Sequence, residues 1–494
     1  MNNLIKLIFN CKFEYNFEKN LKIYVDMKKR ETKNSRRKFL KALGGTSALL
    51  ASGSLGNYGH AKVIQLKAEQ ETEKKYTAND KVRLAVIGLG IIGHYDIDTA
   101  LKVQGTELAA ICDLYDGRIE QGKRKYGKNV FTTRDYREVL ERKDIDAVLI
   151  CTPDHWHSQI AIDAMNKGKH VYCEKPMVHK LEQGLSVIEA QKKTGKVLQV
   201  GSQRTSSIAM MEAKKLYESG TIGQINMVMA TSNRHSSGGA WQYSIPTDAS
   251  PKNIDFDRFL GNASKVAFDP VRFFRWRNYQ DYGTGIPGDL FVHLLSGLHY
   301  ITGSLGPTRI VASGQLAYWK DGRDVPDVVS AIMEYPATDK HPAFQAVLQV
   351  NFVDGSGGRT QTQIIGSEGM IDIGWNDFVV KRNPLPKAPD FGGYDSLFTF
   401  TEEVQKEFIK QYDAKYSKED REWKKIEDIV YKAERGYDDR LDHFKNFFAS
   451  IREGKPVTQD AAFGFRAAAP CLATNVSIFE QKIVQWDPVN MKMS

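Results

Sequence analysis

Gly88-Leu89-Gly90-Ile91-Ile92-Gly93 follows an apolar run, Val82 to Ile87, and opens a helical pattern. Glycines at this spacing between a strand and a helix are typical of a Rossmann dinucleotide site. Gly88 permits the tight turn, Gly90 lets the backbone approach a pyrophosphate, and Gly93 lets the helix pack close to the strand. The stretch therefore predicts an α/β fold that begins with a nucleotide-binding domain.

Strand and helix patterns alternate beyond these glycines. Apolar runs at 107–112, 147–151, 169–173 and 196–200 predict further strands, and helical patterns separate them. This alternation is typical of a mostly parallel sheet with helices on its faces. We expect the Rossmann domain to span residues 81–202.

Asp113 ends the second of the predicted strands, roughly 20 residues beyond the glycines, where a carboxylate can bind both ribose hydroxyls. The backbone N–H groups of Ile91 and Ile92 open the helix toward the phosphates. Leu114 and Tyr115 follow Asp113 where a phosphate-binding cation would stand. The expected cofactor is therefore NAD rather than NADP.

Two loops follow strands at the carboxyl edge of the predicted sheet, where doubly wound folds bind their ligands. Glu174-Lys175-Pro176 ends the run 169–173, and Thr152-Pro153-Asp154-His155-Trp156-His157 follows the run that ends at Cys151. A lysine at this edge can take part in proton transfer. We expect both loops to lie over the cofactor.

The second half of the chain has a different pattern. Several strand candidates are joined by short glycine-rich turns, which are typical of antiparallel strands. These candidates lie at 224–231, 308–316, 328–335, 344–352, 360–366 and 369–373. The expected fold is a C-terminal α+β domain, residues 203–484, with one large and mostly antiparallel sheet. Within it, the densely charged segment 401–436 is predicted to form solvated helices. Residues 1–61 are expected to be a leader and residues 62–80 a linker.

A glycine-rich loop at 283–288 precedes Asp289 and His293. Their i, i+4 spacing places both side chains on one face of a helix that begins after the loop. A lone helical histidine is usually a core residue, but the aspartate and the glycine loop favour a catalytic role. We predict that this segment supplies the second domain's half of an active site.

With these motifs in this order, the chain resembles the Gfo/Idh/MocA oxidoreductase family from Val82 to the C-terminal helices. The resemblance implies that Thr152, Pro153 and His157 line the nicotinamide side and that Glu174 helps to hold the cofactor. No metal is expected.

The resemblance also implies a catalytic group in which Lys175 contacts the reacting hydroxyl and is completed by Asp289 and His293. Hydride transfer requires a base that removes the hydroxyl proton. Either His293 or Lys175 could be that base, and the two could act as one coupled group.

Aromatic side chains and hydrogen-bond donors cluster in two further segments. Such surfaces suit sugars, because C–H faces stack on aromatic rings while arginine donates to hydroxyls. An aromatic core or a homo-oligomer interface is the alternative, since the large sheets of similar proteins commonly pair. The candidate sugar-binding residues are Arg234, His235, Trp241, Tyr243, Arg275, Trp276 and Tyr282.

The formal charge of +9 comes almost entirely from residues 1–41, which contribute +8, so nucleic-acid binding is not expected. Ser35-Arg36-Arg37-Lys38-Phe39-Leu40-Lys41 precedes a mildly apolar run, Ala42 to Gly56. This resembles a twin-arginine (Tat) export signal. The run is too short for a transmembrane helix. We expect a folded protein exported to the periplasm by the Tat machinery, and not an integral membrane protein.

The leading hypothesis is an exported NAD-dependent oxidoreductase that transfers hydride between a secondary hydroxyl of a sugar or glycoside and a tightly held cofactor. One alternative is an NAD-using glycoside hydrolase, similar to α-N-acetylgalactosaminidases, that oxidises, eliminates, adds water and reduces. A second is a carbohydrate-binding protein without chemistry. Intact Lys175, Asp289 and His293 argue against the second alternative.

Overall fold

A computed structural model describes residues 61–68 and 80–494. Residues 1–60, which include the predicted export signal, and most of the expected linker lie outside the described residues. The strands are β1 Lys62–Leu66, β2 Val82–Ile87, β3 Thr106–Cys112, β4 Phe131–Thr133, β5 Ala147–Ile150, β6 His170–Glu174, β7 Leu198–Gly201, β8 Ile225–Ser232, β9 Arg309–Gln315, β10 Val328–Tyr335, β11 Phe344–Asn351, β12 Thr360–Gly366, β13 Gly369–Ile373, β14 Asp377–Arg382, β15 Ile429–Ala433, β16 Val484–Asp487 and β17 Lys492–Met493.

The α-helices run between and after these strands. They are α1 Ile91–Ala100, α2 Asp116–Tyr126, α3 Tyr136–Glu141, α4 His157–Asn166, α5 Gly184–Thr194, α6 Ile208–Glu218, α7 Phe256–Leu260, α8 Pro270–Phe274, α9 Val292–Thr302, α10 Glu402–Lys415, α11 Lys418–Arg421, α12 Asp439–Glu453 and α13 Ala461–Glu480. A short π-helix, Pro287–Phe291, leads into α9.

The N-terminal domain is a six-stranded parallel sheet in the order β4-β3-β2-β5-β6-β7. The order reverses at β2, so β3 and β5 flank it and the turn after β2 opens at the switch point where such sheets bind ligands. Strand β5 is fully buried, as expected for a parallel strand covered on both faces. The predicted Rossmann domain is confirmed; its short strand β4 was not predicted.

The C-terminal domain is built on an eleven-stranded sheet in the order β1-β15-β14-β13-β12-β8-β11-β10-β9-β16-β17. Neighbours pair antiparallel except β1 with β15 and β8 with β11. The predicted large, mostly antiparallel sheet is therefore confirmed. Helix α13 contacts β9 and helix α9, so the core of this domain lies between the helices and one face of the sheet.

Two sequence-based boundaries need correction. Lys62–Leu66, expected to be linker, forms strand β1, because Ile64 and Leu66 alternate toward the core while Val63 and Gln65 face outward. The segment 401–436 is helical only in part: Ile429–Ala433 forms β15 with Val430 and Tyr431 buried. Charged neighbours obscured this strand's apolar residues in the sequence.

Helix α12 returns from the second domain to the first, where Phe444, Phe447 and Phe448 enter the core of the parallel sheet. Tyr172 of β6 stacks on Phe444 with ring centroids 4.4 Å apart. Cys112, Cys151 and Cys173 are free and buried. Among the described residues there is no helix with both the length and the apolar character to cross a membrane.

Candidate active site

The glycine turn after β2 has the geometry that its spacing predicts. Gly88 has φ +92°, and a Cβ there would lie 2.6 Å from the carbonyl oxygen of Cys151. A Cβ on Gly93 would lie 2.1 Å from the carbonyl oxygen of Gly88, so helix α1 packs directly on the strand. A Cβ on Gly90, by contrast, would have no neighbouring atom nearer than 3.9 Å, which leaves space above the turn.

The N-terminus of α1 faces this space. The N-cap residue of α1 is Gly90, so no N-cap side chain accepts a hydrogen bond from the first N–H groups of the helix. Gly90, Ile91 and Ile92 line the cleft. Free N–H groups at a helix N-terminus favour anions such as a pyrophosphate. These residues therefore fit the phosphates of a dinucleotide.

Asp113 follows β3 and lies beside the glycine turn. Its buried carboxylate accepts hydrogen bonds from the N–H groups of Leu89 at 2.7 Å and Tyr115 at 2.9 Å. Arg118 stands 3.6 Å from the same carboxylate and 5.3 Å above the ring of Phe274. A carboxylate suited to ribose hydroxyls and a cation suited to a phosphate therefore occur together at this end of the cleft.

Lys175 and Asp289 meet where the two domains face each other. The Lys175 Nζ donates to the Asp289 Oδ1 at 3.0 Å and to the Asp289 carbonyl oxygen at 2.9 Å. Arg277 donates from Nε to the same Oδ1 at 3.1 Å. The sequence analysis did not assign Arg277 a role, although it adjoins the predicted Trp276.

The two cations decide the charge of Asp289. Burial by itself raises the pKa of the carboxyl, but Lys175 and Arg277 outweigh it and hold that pKa well below its ordinary value. Burial lowers the pKa of Arg277, and the Asp289 carboxylate reverses this and raises it. Asp289 is therefore a carboxylate across the physiological range, and it fixes the Lys175 ammonium in the cleft.

His293 lies one turn beyond Asp289 and lines the same cleft. Burial lowers the pKa of its imidazole well below the ordinary value, and the positive charge of Lys175 adds to this while Asp289 opposes it. Among the described residues no hydrogen-bond partner occupies its ring nitrogens. An imidazole that is neutral at physiological pH has a ring nitrogen that can accept a proton.

The loop 152–157 joins the domains as well as lining the cleft. Thr152, Pro153 and His157 line it, together with Glu174 and Lys175. The His157 ring nitrogens contact the carbonyl oxygens of Pro176 at 2.8 Å and Thr152 at 2.9 Å, so this histidine holds two loops together.

Asp154 makes a contact that the sequence did not suggest. Its Oδ2 accepts hydrogen bonds from the N–H and the hydroxyl of Thr284, at 3.0 and 2.7 Å. Thr284 belongs to the glycine-rich loop that precedes Asp289, so this buried contact sets the distance between the two halves of the site.

Of the predicted sugar-binding residues, Tyr243 and Trp276 line the cleft. Arg275 donates from Nε to the Tyr243 carbonyl oxygen at 2.8 Å and so supports that loop.

Trp241 and Tyr282 do not present a face to a ligand: they are 1% and 0% exposed. Trp241 packs edge-on to Phe352, and Tyr282 belongs to an aromatic core with Phe259. For these two residues the alternative interpretation as an aromatic core is the correct one, because the apolar packing between loop and sheet absorbs their rings.

Arg234 and His235 lie outside the cleft lining. Arg234 donates to the Gly239 carbonyl oxygen at 2.9 Å, and His235 is exposed and pairs with Val353, two residues after β11. Arg234 still contributes positive charge to the surroundings of Asp289.

The cleft also includes residues for which the sequence carried no signal, notably Gln203, Arg204, Trp375, Asp439 and Arg440. They come from three separate parts of the chain, so only the folded arrangement brings them together. Within the described residues, no group of three or more His, Cys, Asp or Glu side chains is arranged to hold a metal ion.

Two domain families match the chain. Residues 82–202 match the oxidoreductase family GFO_IDH_MocA, NAD-binding Rossmann fold, and residues 259–372 match the GFO/IDH/MocA C-terminal domain. The resemblance inferred from the motifs is thereby confirmed.

Proteins similar to this chain include the scyllo-inositol 2-dehydrogenase (NAD(+)) of Bacillus subtilis, 38% identical over 145 residues, which are 29% of this chain and 42% of that one. The α-N-acetylgalactosaminidase of Shewanella oneidensis is 34% identical over 172 residues, 33% of this chain and 38% of that one. This chain therefore matches less than half the length of these relatives.

A solved structure with the same fold is the WlbA dehydrogenase of Bordetella pertussis in complex with NADH and UDP-GlcNAcA. It is 17% identical, with a TM-score of 0.59 over 82% of this chain and 98% of that one.

Proposed function

We propose that this chain, which belongs to the Gfo/Idh/MocA family of oxidoreductases, transfers hydride between a secondary hydroxyl of a sugar or glycoside and NAD. The observation that carries the proposal is the corner formed by Lys175, Asp289 and His293, which opens into the same cleft as the uncapped N-terminus of α1. The inositol dehydrogenase among the similar proteins supports a polyhydroxylated substrate.

A nicotinamide dinucleotide, when bound, supplies the hydride acceptor. The Lys175 ammonium has three N–H donors, and Asp289 engages it at two oxygens. A remaining N–H can donate to the substrate oxygen and stabilise negative charge as it develops there. The neutral His293 imidazole accepts the hydroxyl proton. Asp289 keeps Lys175 in place and does not exchange a proton itself.

The test begins with protein purified without added nucleotide. Denaturation should release about one equivalent of nicotinamide dinucleotide if the cofactor is tightly held. Sugars and glycosides are then screened for reduction of the nicotinamide, read by absorbance or fluorescence. Failure of every carbohydrate to reduce it, by a protein shown to hold the cofactor, would refute the proposed chemistry and favour a binding protein.

Export is part of the proposal and rests on the Ser35 to Lys41 segment. A folded protein that carries its cofactor out of the cytoplasm fits the twin-arginine route. A periplasm has no nicotinamide pool, so hydride must pass to a second carbohydrate or return to the first. Replacing Arg36 and Arg37 with lysine should leave the protein in the cytoplasmic fraction. Periplasmic protein in that variant would refute the proposed export route.

The second candidate is the NAD-using glycosidase, favoured by the similarity to an α-N-acetylgalactosaminidase. That reaction returns the hydride and releases an unoxidised sugar. Product analysis separates the two: a keto-glycoside supports net hydride transfer, and free sugar with released aglycone supports cleavage.

Self-association is also proposed, through the open face of the large sheet. Met229, Val347 and Ile332 are cross-strand neighbours on that face, and Met229 and Ile332 are nearly half exposed. An exposed apolar row on a sheet marks an interaction site. Light scattering should give a multiple of the monomer mass, and Ile332→Glu should reduce it; a monomeric wild type would refute this part.

A further inference from the structure

The cleft that contains Lys175 and His293 is also lined by residues that the proposed chemistry does not use. Arg204 follows β7, Trp375 lies in the turn between β13 and β14, and Asp439 begins helix α12. All three line the cleft. We call these three residues the Trp375 wall.

Trp375 is an exposed aromatic residue whose position is fixed. Its side chain is 49% exposed. The Arg204 guanidinium lies 5.2 Å from the ring centroid and also donates a hydrogen bond to the carbonyl oxygen of Gly374, the preceding residue. Arg204 therefore contacts both the Trp375 ring and the backbone next to it, while about half of Trp375 remains exposed. A fixed aromatic ring at a cleft wall suits the apolar C–H face of a sugar ring.

Two polar atoms of the wall are buried without partners among the described residues: the Arg204 Nε and the Asp439 Oδ2. Asp439 is 7% exposed. The first atom is a donor and the second an acceptor, and leaving either unpaired inside a protein is costly. A single hydroxyl group can both accept and donate. The chemistry of the wall therefore matches a polyhydroxylated ligand rather than an apolar one.

The wall adjoins the place where hydride transfer is proposed. Gln203, which precedes Arg204, donates to the Glu174 Oε1 at 2.8 Å, and Glu174 precedes Lys175, so the wall begins beside that part of the cleft. The glycine turn and Asp113 are the parts of the cleft that fit the dinucleotide. The wall is therefore available to substrate beyond the sugar that reacts.

We propose that the Trp375 wall is a second carbohydrate subsite, which binds the ring or aglycone attached to the sugar whose hydroxyl reacts. The substrate is then a glycoside or disaccharide rather than a free monosaccharide. This inference rests on the proposed function for the chemistry in the first subsite, but binding at the wall can be measured without turnover.

The first experiment uses calorimetry on the Lys175→Met protein loaded with NAD, so that no reaction intervenes. Lactose and cellobiose are compared with galactose and glucose. A disaccharide should bind at least about tenfold more tightly than its constituent sugar. Trp375→Ala should remove that difference and Trp375→Phe should retain most of it.

Trp423 provides the matched control, because it is a comparably exposed tryptophan that does not line the cleft. Trp423→Ala should leave all affinities unchanged. Three results would each overturn the subsite. They are equal affinities for disaccharides and monosaccharides, no binding of any disaccharide, and an equal loss of affinity for both classes in Trp375→Ala.

Turnover separates this inference from the proposed function. If no carbohydrate reduces the nicotinamide, the proposed function fails while the affinity comparison still decides on the subsite. If turnover occurs, Trp375→Ala should lower kcat/KM for disaccharides about tenfold through KM and leave the value for free sugars within about twofold. An equal loss for both would again overturn the subsite.

Discussion

Asp289 in the C-terminal domain and Asp96 in the Rossmann domain are both buried carboxyl groups, 7% and 0% exposed. Asp289 accepts hydrogen bonds from two cations. Asp96 has a thiol 3.5 Å from Oδ2 and the more distant Arg440 3.8 Å from Oδ1, with the Glu174 carboxylate nearby.

The two groups consequently have opposite pKa shifts. Burial and then Glu174 raise the pKa of Asp96 well above its ordinary value, and Arg440 opposes this only in part. Lys175 and Arg277 overcome the same burial at Asp289 and lower its pKa. Burial sets the cost of a charge, but the number and distance of neighbouring cations decide whether the charge is kept.

Removing one cation from Asp289 should have the largest effect. Lys175→Met is expected to lower kcat by a factor on the order of 10²–10³, because it removes the donor that stabilises charge on the substrate oxygen. Bound nicotinamide should stay near the wild-type amount, since the glycine turn is untouched. Stopped-flow reduction and nicotinamide release measure the two. Lys180→Met, on the exposed part of the same loop, is the control, and unchanged turnover in Lys175→Met would contradict the assignment.

Asp289→Asn tests the charged member of the pair. It leaves Lys175 and Arg277 beside each other without a counter-charge, so the free energy of unfolding should fall by about 3–5 kcal/mol. The Asp289 carboxylate should stabilise the wild-type fold fully above about pH 4, the pKa of an aspartate in the unfolded chain. This stabilisation should be lost as the pH falls further, because the pKa of Asp289 in the folded protein is depressed. Urea denaturation at several pH values measures both, and a loss below about 1 kcal/mol would mean that the ion pair is weak.

The pH profile tests which group takes the proton. Because the pKa of His293 is lowered, kcat/KM should show no inflection at the ordinary histidine value of about 6.5 and should decline only at lower pH. His293→Asn should abolish that acid limb along with most of the activity. An inflection well above pH 7 that survives in His293→Asn would instead identify Lys175 as the base.

Asp96→Asn should have the smallest effect and so completes the comparison. An amide replaces a protonated carboxyl group, so the free energy of unfolding should change by less than about 1 kcal/mol below about pH 4, where the carboxyl is protonated in the unfolded chain as well. The folded wild type binds more protons than the unfolded chain above about pH 4, so its stability should fall as the pH rises through that range, and the variant should lack this slope. A loss as large as that of Asp289→Asn would show that Asp96 is charged.

Local patterns in the sequence were sufficient for the Rossmann domain and for the Lys175, Asp289 and His293 group. Gly88 and Gly93 can be recognised because no other residue fits their turn. Asp289 lies in the π-helix and His293 in α9, which continues it, so the two residues do not share one α-helix as expected but still belong to one local helical segment. Trp241 and Tyr282 were predicted to bind the substrate, but both are buried. The sequence could not show this, because an aromatic residue in a core and one in a sugar site give the same local pattern.

Period and spacing along the chain therefore specified most of the strands, the glycine turn and the residue types of the corner formed by Lys175, Asp289 and His293, since these depend on neighbours a few positions apart. Contacts between distant segments depended on packing: the Asp154 to Thr284 contact, the second cation on Asp289, and the meeting of Arg204, Trp375 and Asp439. Charge states belong to the second class, because desolvation and the distance to a counter-charge exist only once the two domains have closed on each other.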